Sequence, residues 1–435
     1  MTAIPETRPS GAAGFLHRYE GLAGRLPGHR LPWLSALRAR GAEAFRAQGL
    51  PTRRVEAWKY TDLRPLADAG FEEPLTALDT APPLPRPRGG ARAVFVDGRF
   101  RPDLSGLDGA ALEAGSLAQA LPRLEGRIGA LASPEELPLV ALNTMLFEDG
   151  LLAWVPEGTD AGVLELVSVA TDSGRPAAFH PRHLIRLGRG ARLTVIETAA
   201  GSAGARYLHN PVYEIEVAEG ATLVHARLQQ EGRQGFQLST VQARVAAGGT
   251  YDNFTLNAGA RLVRNEIHVA LTGPGAACHM NGAQLLAGGQ HADTTTFLDH
   301  AAPNCVSRQT YKTVLAGRSR GVFQGKILVR QAAQKTDGYQ MNQALLLSPE
   351  AEMDSKPQLE IYADDVKCSH GATVGELDHD QLFYLRTRGV PEAEARSLLI
   401  EAFLVEAVEG VTDETARGTL QEAVRGWWAR EAAAS

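Results

Sequence analysis

A chain of 435 residues exceeds the roughly 100–200 residues of one ordinary domain, so it folds as two or three domains or as one elongated repeat. Hydrophobic residues at 44 %, charged residues at 22 % and a mean hydropathy of −0.17 describe a folded, water-facing protein, with no apolar run near the roughly 20 residues of a spanning helix. Its net charge of −6 argues against nucleic acid as a partner, because such binding draws its affinity from released counterions.

The opening Met1–Ser10 has neither a basic start nor an apolar stretch, so it does not read as a secretory signal, and the cytoplasm is the expected compartment. No membrane partner is expected. Residues 1–80 read as a helical region. Leu34, Leu37, Gly41, Ala44 and Phe45 fall on one helical face, and Pro32 suits a first turn. Residues 81–159 read as a linker with short β segments. The proline-rich Ala81–Gly90 cannot be helix, and Ala93–Phe100 reads as two strands around the Asp97-Gly98 turn, followed by a strand over 150–155.

From about residue 160 to 375 the period is two. Segments such as Tyr213–Val217, Leu223–Leu228 and Val263–Val269 alternate or cluster β-forming residues. A glycine followed by a small residue recurs at Gly190, Gly220, Gly249 and Gly275, at intervals of 30, 29 and 26 residues. Short strands and frequent turns also suit a β-sandwich. The near-regular spacing favours a parallel β-helix, in which each coil exposes a strand edge for the next coil to pair.

Residues 376–435 read as a C-terminal helical domain. Asp380–Arg386 opens a first helix, and Gly389 sits where a left-handed cap is expected. Pro391 is expected at the first position of a helix over 392–409, whose stripe is Ala395, Leu398, Leu399, Ala402 and Phe403. Thr412 is the expected N-cap of a last helix reaching Trp427-Trp428. Apolar helix faces of this kind either pack on neighbouring strands or receive a partner.

Cys278, Cys305 and Cys368 are too few and too far apart for a disulfide framework, and the absence of a Cys-x-x-Cys pair argues against a self-contained zinc or four-thiolate site. The nearest approach to a phosphate loop, Gly321–Ile327, has the wrong spacing and no hydroxyl, so no nucleotide site is expected in this chain. Cys368 and His370, two apart on a strand, point to one face and can share a metal or a persulfide; a buried cysteine beside a hydrogen-bonded histidine is the plainer reading. Cys278 and His279 face opposite ways, and a structural role suits His291, His300 and Cys305.

Residues 357–375 and 381–390, with 333–340, 342–348, Tyr311-Lys312, Gly321–Gly325 and Arg54–Leu63, resemble the SufB/SufD family of the Suf iron-sulfur cluster assembly machinery, on its SufD side. The resemblance implies a right-handed parallel β-helix flanked by helical segments. It also implies a scaffold without catalysis of its own, paired with the paralogue SufB and with the ABC-type ATPase SufC, or forming a homodimer in isolation. In SufB the segment matching Asn342–Ser348 begins with a sulfur-accepting cysteine, and the histidine matching His370 is followed by glutamate. This chain has Asn342 and Gly371 there. By resemblance His370, with Cys368 beside it, contributes to iron or a transient iron-sulfur cluster at the SufB–SufD interface. The C-terminal helices, through Phe383, Tyr384, Leu398, Leu399 and Phe403, are the expected SufC surface. The competing readings are a carbohydrate-active β-helix enzyme and a purely structural subunit.

Overall fold

A left-handed residue at the same turn of successive coils sets the architecture. Positive φ occurs at Gly158, Gly190, Gly220, Gly248, Gly275, Asn304 and Lys335. The amide of each donates to the carbonyl one turn further along: Gly190 to Glu219 at 2.8 Å, Gly248 to Pro274 at 3.0 Å, Asn304 to Gln334 at 2.9 Å. Turns therefore stack on turns, and the strands between them are held in register. The turn residue after Gly220 is Gly248; the Gly249 named from the sequence has ordinary φ and lies one position on. Glycine favours this conformation because it lacks Cβ, and asparagine tolerates it at Asn304.

The computed structural model describes residues 11–73 and 82–434, with only the backbone for residues 428–434, Trp428 among them. Met1–Ser10 and Ala81 lie outside the described residues. The helix Pro32–Gln48 buries Leu34, Leu37, Gly41 and Phe45 as the spacing predicts, with Pro32 in its first turn. Asp97 and Gly98, both at positive φ, join the strands Ala91–Val96 and Arg99–Phe100.

The strands form two sheets, one of 10 and one of 11. The first runs from Arg99–Phe100 through Ala91–Val96, Asp160–Ala170 and Arg192–Gly201 to Val306–Leu315, Thr336–Leu346 and Val366–Gly375; the second ends on Glu352–Ile361. Successive coils pair in parallel, as in Cys278↔Ser307↔Gly338↔Cys368. The chain is mainly β, a parallel solenoid with helices at both ends, as expected.

Alternate residues of each strand point inward to one core, which includes Val195, Leu223, Tyr251, Cys278 and Met280 of the first sheet and Ile185, Ile215, Val241 and Ile267 of the second. The two ends differ. The N-terminal end is closed by the antiparallel pairs 91–96 with 99–100 and 113–116 with 151–155. At the other end the strands Glu352–Ile361 and Val366–Gly375 are the last in their sheets.

The C-terminal helices cover the outer face of the first sheet. Ile400, Leu404, Ala407, Val408, Leu420 and Trp427 pack on Ile196, Leu228, Phe254, Leu256, Leu285 and Val314. The helix His379–Thr387 ends in a Schellman motif: Gly389 at φ +86° donates to Arg386, and Val390 to Leu385. Three details depart from the sequence reading. Pro391 stands at the N-cap rather than in the first turn. The buried stripe of Glu392–Glu409 is Ala395, Ile400, Leu404, Ala407 and Val408, whereas Leu398 and Ala402 are exposed. The helix is apolar almost all round from Leu398 to Val408, so period alone leaves its facing open. Finally, Asp413 caps the last helix through the Ala416 amide at 2.8 Å, while Thr412 donates to Asp252 of the solenoid at 2.9 Å.

Candidate functional site at the open end

The inward columns of the first sheet lead directly to the residues singled out from the sequence. Met280, Gln309, Gln340 and His370 occupy one column, and Cys278, Ser307, Gly338 and Cys368 the next. Met280, Gln309 and Gln340 are buried because a coil stands on either side; His370 is exposed because its strand is the last. The imidazole is thus borne on the core-facing register at the uncovered end of the solenoid. Cys368 is half-buried against Ile327, Val329, Ala333, Leu359 and Ala363, and its sulfur lies where a Cβ added to Gly338 would sit 3.4 Å away. Burial pushes its thiol up. That shift disfavours the thiolate a metal needs, so the imidazole is the better donor of the two.

Asn342 lies on the neighbouring inward column opposite Ala372, buried, and donates to Ser355 Oγ at 3.0 Å. Its side-chain oxygen has no protein partner. Gly371 belongs to the outward register, where an added Cβ would come within 2.7 Å of the Met341 methyl. A larger side chain here requires Met341 to move. Among the described residues no three or more histidine, cysteine or acidic side chains are grouped to hold a metal. Two candidate donors on one strand give an incomplete coordination shell.

Around this end, apolar side chains are left in the open. Tyr362 is 60 % exposed and Val374 49 %. A second exposed group lies on the C-terminal helices: Phe383 at 68 %, Tyr384 at 56 % and Leu398 at 45 %. Leu399 and Phe403 behave differently. They are half-buried against the sheet-facing cluster, and the Lys312 ammonium sits 4.5 Å from the Phe403 ring centroid. Three of the five residues named as a partner surface are accessible and two belong mainly to the helix–sheet seam.

The other cysteines and histidines are accounted for locally. Cys278 is buried in the core, with its thiol pushed well up by burial, while His279 points outward to Asp252 at 2.5 Å. His300 meets Ser307 Oγ at 2.9 Å, His291 meets Thr61 Oγ1 at 2.9 Å, and Cys305 donates to the Gly273 carbonyl at 3.4 Å.

Two charged clusters escaped the sequence reading. Inside the solenoid, Glu197 accepts from Arg227 Nε at 3.0 Å and Tyr213 at 2.6 Å, and His225 lies 3.1 Å away. Burial opposes the Glu197 charge, but Arg227 and these hydrogen bonds hold its carboxyl well below the usual range. Outside the second sheet, the Arg264 guanidinium lies 3.8 Å from the ring centroid of Trp58. It donates to Glu266 at 2.8 Å, to the Ala57 carbonyl at 2.9 Å and to Asp293. Trp58 belongs to the Arg54–Leu63 motif, which is thereby fastened to the coils. The inward charges follow strand alternation, which the sequence shows equally for both faces; they carry no motif.

The fold is that of a parallel β-solenoid with helical ends, whose last inward register carries candidate donor side chains. The comparisons agree with that class. Residues 169–403 match the SUF system FeS cluster assembly, SufBD core domain, and residues 12–83 the SufBD protein N-terminal region. The chain belongs to this family. It is similar to the iron-sulfur cluster assembly protein SufD of Escherichia coli, 35 % identical over 379 residues covering 84 % of this chain and 86 % of that one. A SufBD family protein of Synechocystis is 31 % identical over 395 residues, covering 86 % and 87 %. One of Mycobacterium tuberculosis is 29 % identical over 384 residues, covering 86 % and 88 %. Among the described residues no helix is long and apolar enough to cross a membrane.

Proposed function

We propose that the chain is the SufD-like scaffold half of a cytoplasmic Suf assembly complex. A SufB-like β-solenoid seats against the open end, and a SufC-like ATPase docks on the face bearing Phe383, Tyr384 and Leu398. Iron or a nascent iron-sulfur cluster is the cargo at the seam. His370 supplies one ligand there and Cys368 stands beside it as a lesser donor. The observation that supports this reading is the open end itself: two final strands expose unpaired edges, and the inward column ends on an imidazole. Such edges invite strand addition, and a paralogue of the same fold is the natural occupant. An imidazole completing a shell begun by the partner's thiolates binds iron while leaving the cluster labile. The chain contributes position and one ligand, and nucleotide hydrolysis belongs to the ATPase.

Co-expression with SufB-like and SufC-like chains, size-exclusion chromatography and an iron and sulfide assay test this directly. His370→Ala changes an exposed side chain, so stability should move by no more than about 0.5 kcal/mol. The three chains should co-elute as before, with iron and sulfide on the complex lost. Full cluster content on a stably expressed His370→Ala complex would leave the chain as a scaffold without a ligand of its own. Elution of this chain solely as a homodimer in the presence of both partners would refute the partnership.

A further inference from the structure

Where the Arg54–Leu63 motif meets the coils, a cavity of about 230 Å³ opens between the N-terminal segment and the turns of the second sheet. Its walls carry three guanidiniums, from Arg53, Arg261 and Arg320, with Tyr60, Phe236 and His291 between them. The charges are not cancelled locally. Asp62, the only acidic residue of the lining, is held by Arg64 at 2.7 Å, and the Arg53 charge reaches it without a hydrogen bond. Arg320 is bound to Asp354 at 2.6 Å, with Glu352 at 3.6 Å. Beneath the floor, Asp293 is taken by Arg264 and Thr61. Arg53 and Arg261 make no ion pair with a carboxylate among the described residues: Arg53 Nε donates to the Lys59 carbonyl at 2.9 Å, and the Arg261 guanidinium lies 5.7 Å from the Phe236 ring centroid.

Two guanidiniums that donate to no carboxylate among the described residues, around a concave site in a protein whose net charge is −6, leave a local excess of positive charge. Phe236 stations one guanidinium at the wall, and the Lys59 carbonyl the other. Planar guanidinium forks match the paired oxygens of phosphate and carboxylate groups. We infer that this cavity binds a small multivalent oxyanion, a phosphate or polycarboxylate group, between Arg53 and Arg261. Because one wall is the N-terminal segment and the other the coil turns, such a ligand would also bridge the two.

Isothermal titration of the full chain with inorganic phosphate, pyrophosphate and citrate, at low and at 0.15 M salt, tests this. The first two probe a phosphate source and citrate a carboxylate one. Saturable 1:1 binding of at least one anion is expected. Arg53→Ala and Arg261→Ala should each weaken it at least tenfold with unchanged melting, since both side chains are exposed. Arg206→Ala, an exposed arginine elsewhere, should leave it intact. Absence of saturable binding up to millimolar anion, or equal weakening by Arg206→Ala, would overturn the inference. Neither outcome bears on the open end, so the proposed assembly role stands or falls separately.

Discussion

Replacing Arg264 by methionine probes how firmly the N-terminal motif is fastened to the solenoid. The side chain is completely buried, as is Asp293, and Glu266 is nearly so. Methionine keeps much of the apolar stem while leaving two carboxylates buried beside each other without their cation. Removing one partner of a buried ion pair costs about 3–5 kcal/mol, most of it the desolvation of the charge left behind. Loss of the guanidinium over Trp58 adds up to about 2 kcal/mol. The Ala57 carbonyl loses one donor but keeps Gln324, at 3.1 Å, so it adds little. The segment around Trp58 crosses coil after coil on the outside of the second sheet, and Glu56 reaches Lys356 on the last strand. It can therefore detach without unfolding the coils. Hydrogen exchange of peptides spanning residues 53–65 is the matching assay. A loss of about 3 kcal/mol corresponds to roughly a hundredfold faster exchange through opening of that segment. Adding Glu266→Gln and Asp293→Asn to the methionine variant removes the stranded charges and should recover most of the loss. Exchange altered less than fivefold in the single variant, or no recovery in the triple one, would show that the guanidinium is not what fastens the segment.

Two further outcomes follow from particular groups. Burial lowers His300 to about 4 from an ordinary 6.5. Between those values the unfolded chain binds a proton that the folded chain refuses, so stability falls as pH falls from 6.5 to 4, by about 3 kcal/mol for this group. His300→Gln, whose amide still reaches Ser307, should flatten that part of a urea-midpoint profile against pH; an unchanged slope would refute the assignment. Phe383→Ser with Leu398→Ser should abolish co-elution with a SufC-like ATPase while moving the melting temperature little, because both side chains are largely exposed; retained co-elution would place docking elsewhere. Truncation before residue 391 is a poorer test, since it would bare Ile196, Phe254, Leu256 and Val314.

The coils were legible because their turns need a left-handed residue at fixed spacing, and glycine supplies it at four successive turns from Gly190 to Gly275. The repeat fades after Gly275 for a physical reason. Asn304 and Lys335 adopt the same conformation at the next two turns, so the backbone period continues where the sequence period does not. The facing of the helix 392–409 was not legible, because its apolar residues spread over more than one face and it takes its orientation from the sheet it meets. Nor was the fastening of Trp58 by Arg264, since the partners are some 200 residues apart in sequence and joined by tertiary packing alone.

At the candidate site, alternation placed Cys368 and His370 on one face, but could not tell inward from outward. That distinction comes from the column to which each belongs: Cys278 and Met280, three coils earlier, are core residues, so Cys368 and His370 inherit an inward register. Their difference in environment then follows from their neighbours. Ile327, Leu359 and Ala363 cover the cysteine from the opposite sheet and its turn, and burial keeps its thiol protonated. The histidine has the buried Gln340 on one side and, among the described residues, no further strand on the other. An inward position with no coil beyond it lacks the packing that normally specifies a core residue. What an apolar side chain would gain in the middle of the solenoid is unavailable there. In the assembly proposed above, an imidazole would suit both conditions, hydrated at an open end and able to ligand iron once that end is covered.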